Sequence, residues 1–301
     1  MGTGIELSKS LLRERLLANT TGTGDFETAI DGVRLHRRDE LGELENCIYK
    51  PLATVVVQGF KRSVIGSDEY RYGEGHCLIS GVDMPSANYI TDASPEKPFL
   101  GMSIYLDRSL IRQLAMEAPP SVFAEGQNDK GVSVADVEED VLNAFLRLAE
   151  LLEKPDHRGV LAPMILREIH FCLLISKQGG FLRQLNTPDS HGSQIARAVA
   201  WLRENYKEPL QVDELARRVN MSTATLHRHF KRVTTLSPLQ FQKRLRLHEA
   251  QRLMLTESND ANSASLAVGY ESPHQFNREY KRLFGLPPFK DVSSKRSAVQ
   301  V

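Results

Sequence analysis

The stretch VGYESPHQFNREYKRLFG, residues 268–285, decides how this chain is read. Gly269 is the residue type that accepts a left-handed turn, Ser272 carries a side chain able to cap a helix, and Pro273 suits the first helical position. Phe276, Tyr280 and Phe284 recur at helical spacing, Gly285 closes the helix, and Pro287 and Pro288 are read as preventing its resumption. Upstream, Leu266 and Val268 are apolar and Tyr270 turns inward. The whole predicts a short helix, a tight turn and a second helix. The second helix would leave His274, Gln275, Asn277, Arg278, Lys281 and Arg282 on its outer side.

The same plan occurs about fifty residues earlier, in VDELARRVN followed by STATLHRHFKRV. Leu215, Ala216, Val219, Met221, Leu226 and Phe230 fall where two helices would pack their inner faces. Asn220 occupies the turn, and Ser222 caps the helix that follows. Aligned on buried residues, Leu226-His227-Arg228 matches Phe276-Asn277-Arg278, so each second helix projects an arginine from the same place. Between the copies, SPLQFQKRLRLHEAQRLML offers a Ser237 cap, Pro238 at the first position and apolar residues at 239, 241, 245, 247, 250, 253 and 254. One helix of some 17 residues would span roughly 26 Å, the order needed to hold two heads one turn of B-DNA apart.

Charge supports a polyanionic partner for this part of the chain alone. The 301 residues balance 38 Lys and Arg against 38 Asp and Glu, but residues 1–193 hold 20 basic and 28 acidic side chains while residues 194–301 hold 18 and 10. A basic third attracts nucleic acid, and the acidic remainder avoids it. Arginine can bond guanine O6 and N7, and Asn or Gln adenine N6 and N7, so base readout is expected from Thr223, Thr225, His227, Arg228, His274, Gln275, Asn277 and Arg278. Ser222, Lys231, Arg232, Lys243, Arg244, Ser272, Lys281 and Arg282 are expected at phosphates. A lone Arg on a helix is ordinarily a solvated face; the repetition of one capped design with matched arginines argues otherwise. His229 and His248 read as packing or surface residues.

Ahead of this region the pattern differs. Residues 5–17 predict a helix, read as peripheral, and TTGTG at 20–24 ends it. ATVVVQGF, EYRYG, HCLISG and PFLGMSIYL are short β-branched or aromatic runs between turns, the pattern of a sandwich or barrel. Helical spacing returns in DVEEDVLNAFLRLAELLEKP, with Asp136 as the expected N-cap and Pro155 past the end, and again from about 161 to 177, stopped by Gly179 and Gly180. Both helices are too apolar to lie bare; a dimer contact and packing on the domain's own barrel are both open. The turn-rich LNTPDSHGS, 185–193, coincides with the charge change and marks a boundary. The expected divisions are thus 1–25, a helix and flexible segment; 26–134, a sandwich or barrel; 135–193, apolar helices and a linker; 194–292, the basic helical domain; and 293–301, a flexible tail, with sensing, dimerisation and DNA binding as the roles that the family resemblance given below implies for the middle three.

Cys47, Cys77 and Cys172 are too few and too scattered for a disulfide framework, which fits a reduced, cytoplasmic protein, and no leader or membrane-spanning run is apparent. Cys47 and Cys77 are the candidate contacts for an effector such as an aldehyde, against the alternative that they are inert and buried. QGFKR, 58–62, presents Lys61 and Arg62 after a strand, where they either orient a ligand or solvate a hairpin. A barrel enzyme would need two or three His and a carboxylate around a metal. His36 and His76 stand far apart with no HxH spacing, so no metal, cofactor or catalytic residue is expected.

MSTATLHRHFKRVTTLSPLQFQKRLRLHEAQRLML and VGYESPHQFNREYKRLFGLPP resemble the two helix-turn-helix units and connecting helix of the AraC/XylS family of bacterial transcription regulators. PLATVVVQGFKRSVIGSDEYRYGEGHCLISGVDMPSANYITDASPEKPFL is similar to the AraC-type N-terminal domain, in the branch that includes YqhC-like regulators. The resemblance covers residues 30 to 292 or thereabouts. It departs at Asn220, where glycine is frequent, at Ser265, where alanine is, and at His229, where an apolar residue is common. The resemblance implies an α+β chain: a cupin-like β-barrel with flanking helices, then an all-α domain of two helix-turn-helix units joined by a long helix. It further implies promoter DNA and RNA polymerase as partners, a small-molecule effector, and activation as the default. Left open beside it are a cupin metalloenzyme with a nucleic-acid-binding tail and a regulator whose barrel only dimerises.

Overall fold

The computed structural model describes residues 2–42, 44–123, 129–257 and 259–299. The chain divides into two compact units, the first running to Ser193 and the second from Gln194 onward, with the short piece Asn46–Ile48 grouped with the second. Each is taken separately.

The described residues before Ser193 form ten strands: β1 (Gly24–Glu27), β2 (Val33–Arg38), β3 (Glu45–Tyr49), β4 (Leu52–Gln58), β5 (Phe60–Ile65), β6 (Asp68–Gly73), β7 (His76–Ser80), β8 (Met84–Asp92), β9 (Phe99–Tyr105) and β10 (Val132–Asp136). Two sheets result, in the orders β1-β2-β9-β4-β7-β10 and β3-β8-β5-β6. The expected barrel is therefore an open sandwich of two sheets, not a closed cylinder. The β-branched runs of β4 favour extended backbone, and every residue of that strand is buried because both of its faces are covered.

Register assigns the faces of the larger sheet. Leu35 lies opposite Met102 and Val33 opposite Ile104, while Val55 pairs with Met102 and Cys77. This apolar face takes helices. Arg34 lies opposite Ser103, which is opposite Thr54, and His36 lies opposite Gly101. That second face, which also bears Phe99, looks onto the smaller sheet, because the Lys61 ammonium of β5 sits 5.9 Å from the Phe99 ring centroid.

Helix α1 (Gly2–Ala18) packs on α3 (Glu139–Glu150) and on β4 and β9. Leu12 and Leu16 are fully buried, so the chain's first helix is part of the core and not peripheral. Helix α2 (Arg108–Glu117) is capped by Asp107, and α4 (Pro155–Ile175) packs on α2, α3 and α5 (Gly179–Asn186).

One expected signal acts differently in the structure. Asp136 ends β10, pairing with His76 across the ladder, and α3 begins after Glu138 without a side-chain cap. The helix expected to stop at Gly179-Gly180 does end before them, at Ile175, and the glycine pair then opens the short α5. The backbone requires glycine there, since a Cβ on Gly179 would stand 2.1 Å from the Leu174 carbonyl oxygen. No single helix among the described residues is long and apolar enough to cross a membrane.

The second unit is helical: α6 (His191–Glu204), α7 (Val212–Arg218), α8 (Thr223–Thr234), α9 (Pro238–Thr256), α10 (Ala261–Ala267), α11 (Pro273–Phe284) and α12 (Pro288–Val299). The last corrects the expectation of a flexible 293–301 tail, although Gln300 and Val301 lie outside the described residues. Pro288 occupies the first turn of a new helix, where proline is favoured, instead of blocking one.

Candidate nucleic-acid interface

In the first helix-turn-helix unit, α7 and α8 bury Leu215, Ala216, Val219, Leu226 and Phe230 against each other, while Met221 is only half-buried. Asn220 turns the chain at φ 58°, the left-handed region that Asn tolerates. Ser222 Oγ accepts from the Thr225 amide at 3.2 Å and donates to Thr225 Oγ1 at 2.8 Å. Thr223 donates to Asp213 Oδ1 at 2.6 Å, which ties the start of α8 to α7. Both threonines proposed as base readers are thus engaged within the unit.

In the second unit the buried face of α10 is Ala264, Ser265 and Val268, and Leu266 is 63% exposed. The assignment of Leu266 to the core was wrong in phase: two residues from Ala264, it lies nearly opposite on the helix. Leu215, Ala216 and Val219 therefore correspond to Ala264, Ser265 and Val268, with Gly269 matching Asn220. Ser222 and Ser272 both cap, yet Glu271 has no counterpart, so the second turn is one residue longer. Ser272 accepts from the Gln275 amide at 3.3 Å, and Gly285 ends α11 at φ 82°. Phe276, Tyr280 and Phe284 stack along the inner side, with centroids 5.4 and 4.3 Å apart.

Helix α9 joins the units. Its 19 residues give a rod of about 28 Å. Ser237 and Gln240 form a reciprocal capping box at its start. Phe241, Leu245, Leu247, Ala250, Leu253 and Met254 are buried, while Leu239 is half-exposed. Arg246 fixes α9 to two turns at once: it donates to the Tyr206, Lys207 and Glu208 carbonyls and, at 2.7 Å, to that of Gly269. Gly269 sits at φ 86° with the Lys207 carbonyl oxygen 2.1 Å from where a Cβ would stand, so no other residue fits. Half-buried Gly269 is thus an anchorage point, not a core residue.

Lys243 donates to Glu279 Oε1 at 2.7 Å, and the same carboxylate accepts from Tyr270 at 2.8 Å and Gln275 at 3.1 Å. Burial pushes the Glu279 carboxyl up, but these bonds outweigh it and hold it below the usual range. Lys243, expected at a phosphate, and Gln275, expected at a base, both serve this carboxylate in the unbound chain. Arg244 is half-buried, and burial together with Arg282 lowers its pKa. The fully outward set is His227, Arg228, Lys231 and Arg232 on α8, and His274, Asn277, Arg278, Lys281 and Arg282 on α11.

Helix α12 closes the unit from behind. Buried Asp291 accepts from Tyr280 Oη and from Gln251 Nε2, each at 2.6 Å, and pairs with Lys295 at 3.2 Å. Arg246, Glu279, Gln251 and Asp291 went unnoticed in the sequence because each looks like an ordinary surface residue there. Only for Arg246, the one basic residue of α9 flanked by buried Leu245 and Leu247, does the periodicity hint at an inward stem.

In the first unit Cys77 is buried, and burial pushes its thiol up to about 12, which disfavours the thiolate that a reactive contact needs. Cys47 is half-buried on β3, and Cys172 is buried with its thiol pushed up to about 11. His36 lies between Asp25 Oδ1 and Ser103 Oγ, at 2.8 Å from each. His76 Nδ1 faces the Gly73 and Glu74 carbonyls. Among the described residues no three His, Cys, Asp or Glu side chains gather as a metal site.

Comparison with known proteins bears on both units. Residues 29–181 match the family model of the AraC-type transcriptional regulator N-terminus. The chain belongs to the AraC family. Residues 215–290 of this AraC-family chain match a helix-turn-helix domain model, covering both capped units. It is 27% identical over 166 residues to the HTH-type transcriptional activator RhaS of Salmonella agona, and 26% over 163 residues to that of Escherichia fergusonii. The match takes in 54% of this chain and 58% of each relative, so it spans little more than half the length of those proteins. In fold it is similar to ToxT of Vibrio cholerae, with a TM-score of 0.53 at 12% identity over 86% of this chain and 97% of that one. The unsaturated fatty acid-bound form of ToxT gives 0.52 at 10% identity over 91% and 96%.

Proposed function

We propose that this AraC-family chain is a sequence-specific, promoter-binding transcription regulator that works in the cytoplasm. The observation that carries the reading is the matched pair of capped helices α8 and α11, which present Arg228 and Arg278 from equivalent positions on either side of one rod. That rod's length suits two successive major grooves on one face of B-DNA. His227, Arg228, His274, Asn277 and Arg278 read base edges. Lys231, Arg232, Lys281 and Arg282 meet phosphates. Thr223, Thr225, Ser222 and Ser272 shape the helix starts that enter the groove, and Gln275, Lys243 and Arg244 reach DNA only by exchanging their present contacts.

The first unit senses a small molecule and biases the second, which requires that the effector bind one arrangement of the regulator better than another. RhaS is named an activator, and activation through RNA polymerase is the sign of control proposed here. Val160 and Met164 on α4 are 70% and 62% exposed, with Leu161 at 38%, an apolar strip suited to pairing two copies. Dimerisation would add the affinity of a second site through effective concentration.

Footprinting tests the reading. The full chain at low ionic strength should protect two patches one helical turn apart on DNA flanking its own gene. No protection on any such fragment would overturn it.

A further inference from the structure

The space between two packed sheets is normally the apolar core of a sandwich. Here the apolar face of the larger sheet is turned to the helices, and the inter-sheet space is polar. Thr54, Ser63, Ser86, Asn88 and Ser103 are all more than nine-tenths buried there, and Tyr72 is 1% exposed. Most of these groups offset their burial by bonding to each other or to neighbours: Ser63 Oγ lies 3.2 Å from Tyr72 Oη, Ser86 and Tyr49 both donate to Asn88 Oδ1, and Ser103 bonds His36.

Charge singles out one of them. Arg34 on the same space pairs with Glu27, and Arg38 with Asp25 and Glu45. Lys61 has no such partner: among the described residues no carboxylate pairs with it. Its ammonium lies 5.6, 5.4 and 5.9 Å from the ring centroids of Tyr49, Tyr72 and Phe99 and donates to Tyr49 Oη at 3.2 Å. Burial opposes the charge, but the Tyr49 and Tyr72 oxygens favour it and the net shift is upward, so the group remains an ammonium. Burial likewise holds the Tyr72 phenol neutral. His36, lowered by burial and occupied by Asp25 and Ser103, adds no charge. Lys61, which keeps partial solvent exposure, is therefore a cation of this space with no carboxylate of its own among the described residues.

We propose that the inter-sheet space binds a small organic monocarboxylate whose negative end is held by Lys61. A single unpaired cation matches a monoanion, whereas a phosphate dianion would leave charge uncovered. Val56, Ile65 and Leu78, buried on the same inner faces, are the apolar side chains its organic body would meet. Asp25, His36 and Ser103 form a hydrogen-bonded line like that of a hydrolase. Ser103, however, sits mid-strand and 2% exposed, without the raised, open position at a turn that a nucleophilic serine needs. The site thus binds and does not cleave.

The proposal rests on the reading of the first unit as a sensor. Calorimetric titration and thermal unfolding of the full chain with phenylacetate and hexanoate, each beside its neutral amide, test it. Stabilisation by a carboxylate but not its amide is expected, and Lys61→Met should bind that carboxylate at least about tenfold more weakly, as loss of a charge-assisted hydrogen bond implies. Lys61→Arg, which keeps the charge, should retain binding if Lys61→Met fails to fold. Equal binding of acid and amide, undiminished binding by Lys61→Met, or no response of the wild-type chain to either acid would overturn it. Fluorescence anisotropy of the wild-type chain on promoter DNA, run alongside, judges the regulatory reading separately.

Discussion

Arg246 of the connecting helix donates to the carbonyl of Gly269, in the turn of the second helix-turn-helix unit, at 2.7 Å. The bond makes α9 and the second turn one body, with the Tyr206–Glu208 carbonyls held by the same guanidinium. Gly269→Ala would lose it through both an unfavourable φ and a clash with the Lys207 oxygen. We expect a cost of about 2–4 kcal/mol in urea unfolding. Gly285→Ala, at a similar φ but with open space around the Cβ, should cost only about 1 kcal/mol. Equal costs would show that the close approach contributes nothing.

Among the outward side chains, Arg278→Ala should weaken binding to the cognate promoter by about 1–3 kcal/mol and relax preference at one base pair. Lys281→Ala should lower the slope of log affinity against log salt by about 1 without altering preference. Binding measured across a salt series on matched and single-mismatch duplexes separates the two. The same behaviour from both would contradict the division into readers and phosphate contacts.

Removing the carboxylate behind α11 leaves two buried donors without an acceptor. Asp291→Ala should therefore destabilise the chain by about 2–4 kcal/mol, and Tyr280→Phe, which deletes one donor and keeps the ring, by about 1 kcal/mol. Chemical denaturation reads both. A larger loss from Tyr280→Phe would mean that the hydroxyl, not the carboxylate, organises the contact.

His248 is buried against the Phe284 ring, and burial, then Arg244 and Lys295, lower it to about 3. Unfolded, it would take up its proton near the ordinary value of about 6.5. The unfolded chain thus binds the extra proton between those values. Stability from this residue is complete above about pH 6.5 and falls by up to about 1.4 kcal/mol per pH unit on acidification toward 3. His248→Phe should flatten that part of the stability profile. An unchanged slope would place the acid sensitivity elsewhere.

Native alkylation with iodoacetamide should leave Cys77 and Cys172 unmodified, since burial denies both a thiolate, and unfolding in urea should expose them. Peptide mass mapping checks it. Rapid native labelling of Cys77 would reopen it as a reactive contact.

The helix-turn-helix units were legible because their signals are local. Ser222, Ser272, Pro273 and Gly285 act on backbone within one turn, and each does in the structure what the sequence indicates. Leu266 misled because hydrophobicity was weighed above helical phase, and small Ser265 took the buried place. Pro288 misled because proline both ends and starts helices, and the choice depends on Asp291 meeting Tyr280 from another helix. The polar space between the sheets was least visible. Strands alternate inward and outward, but which side is covered by helices depends on where α1 and α3 dock, a long-range outcome that no window of β4 or β5 contains.

The extra residue, Glu271, in the second turn governs how the two heads could be exchanged. A chimera that grafts α11 in place of α8 keeps Arg278 in the position of Arg228 only if the splice falls at the capping serine, after the turn. Cut before the turn, the transplanted helix would arrive one position late, rotated by about 100°, with its arginine swung away from the place Arg228 holds.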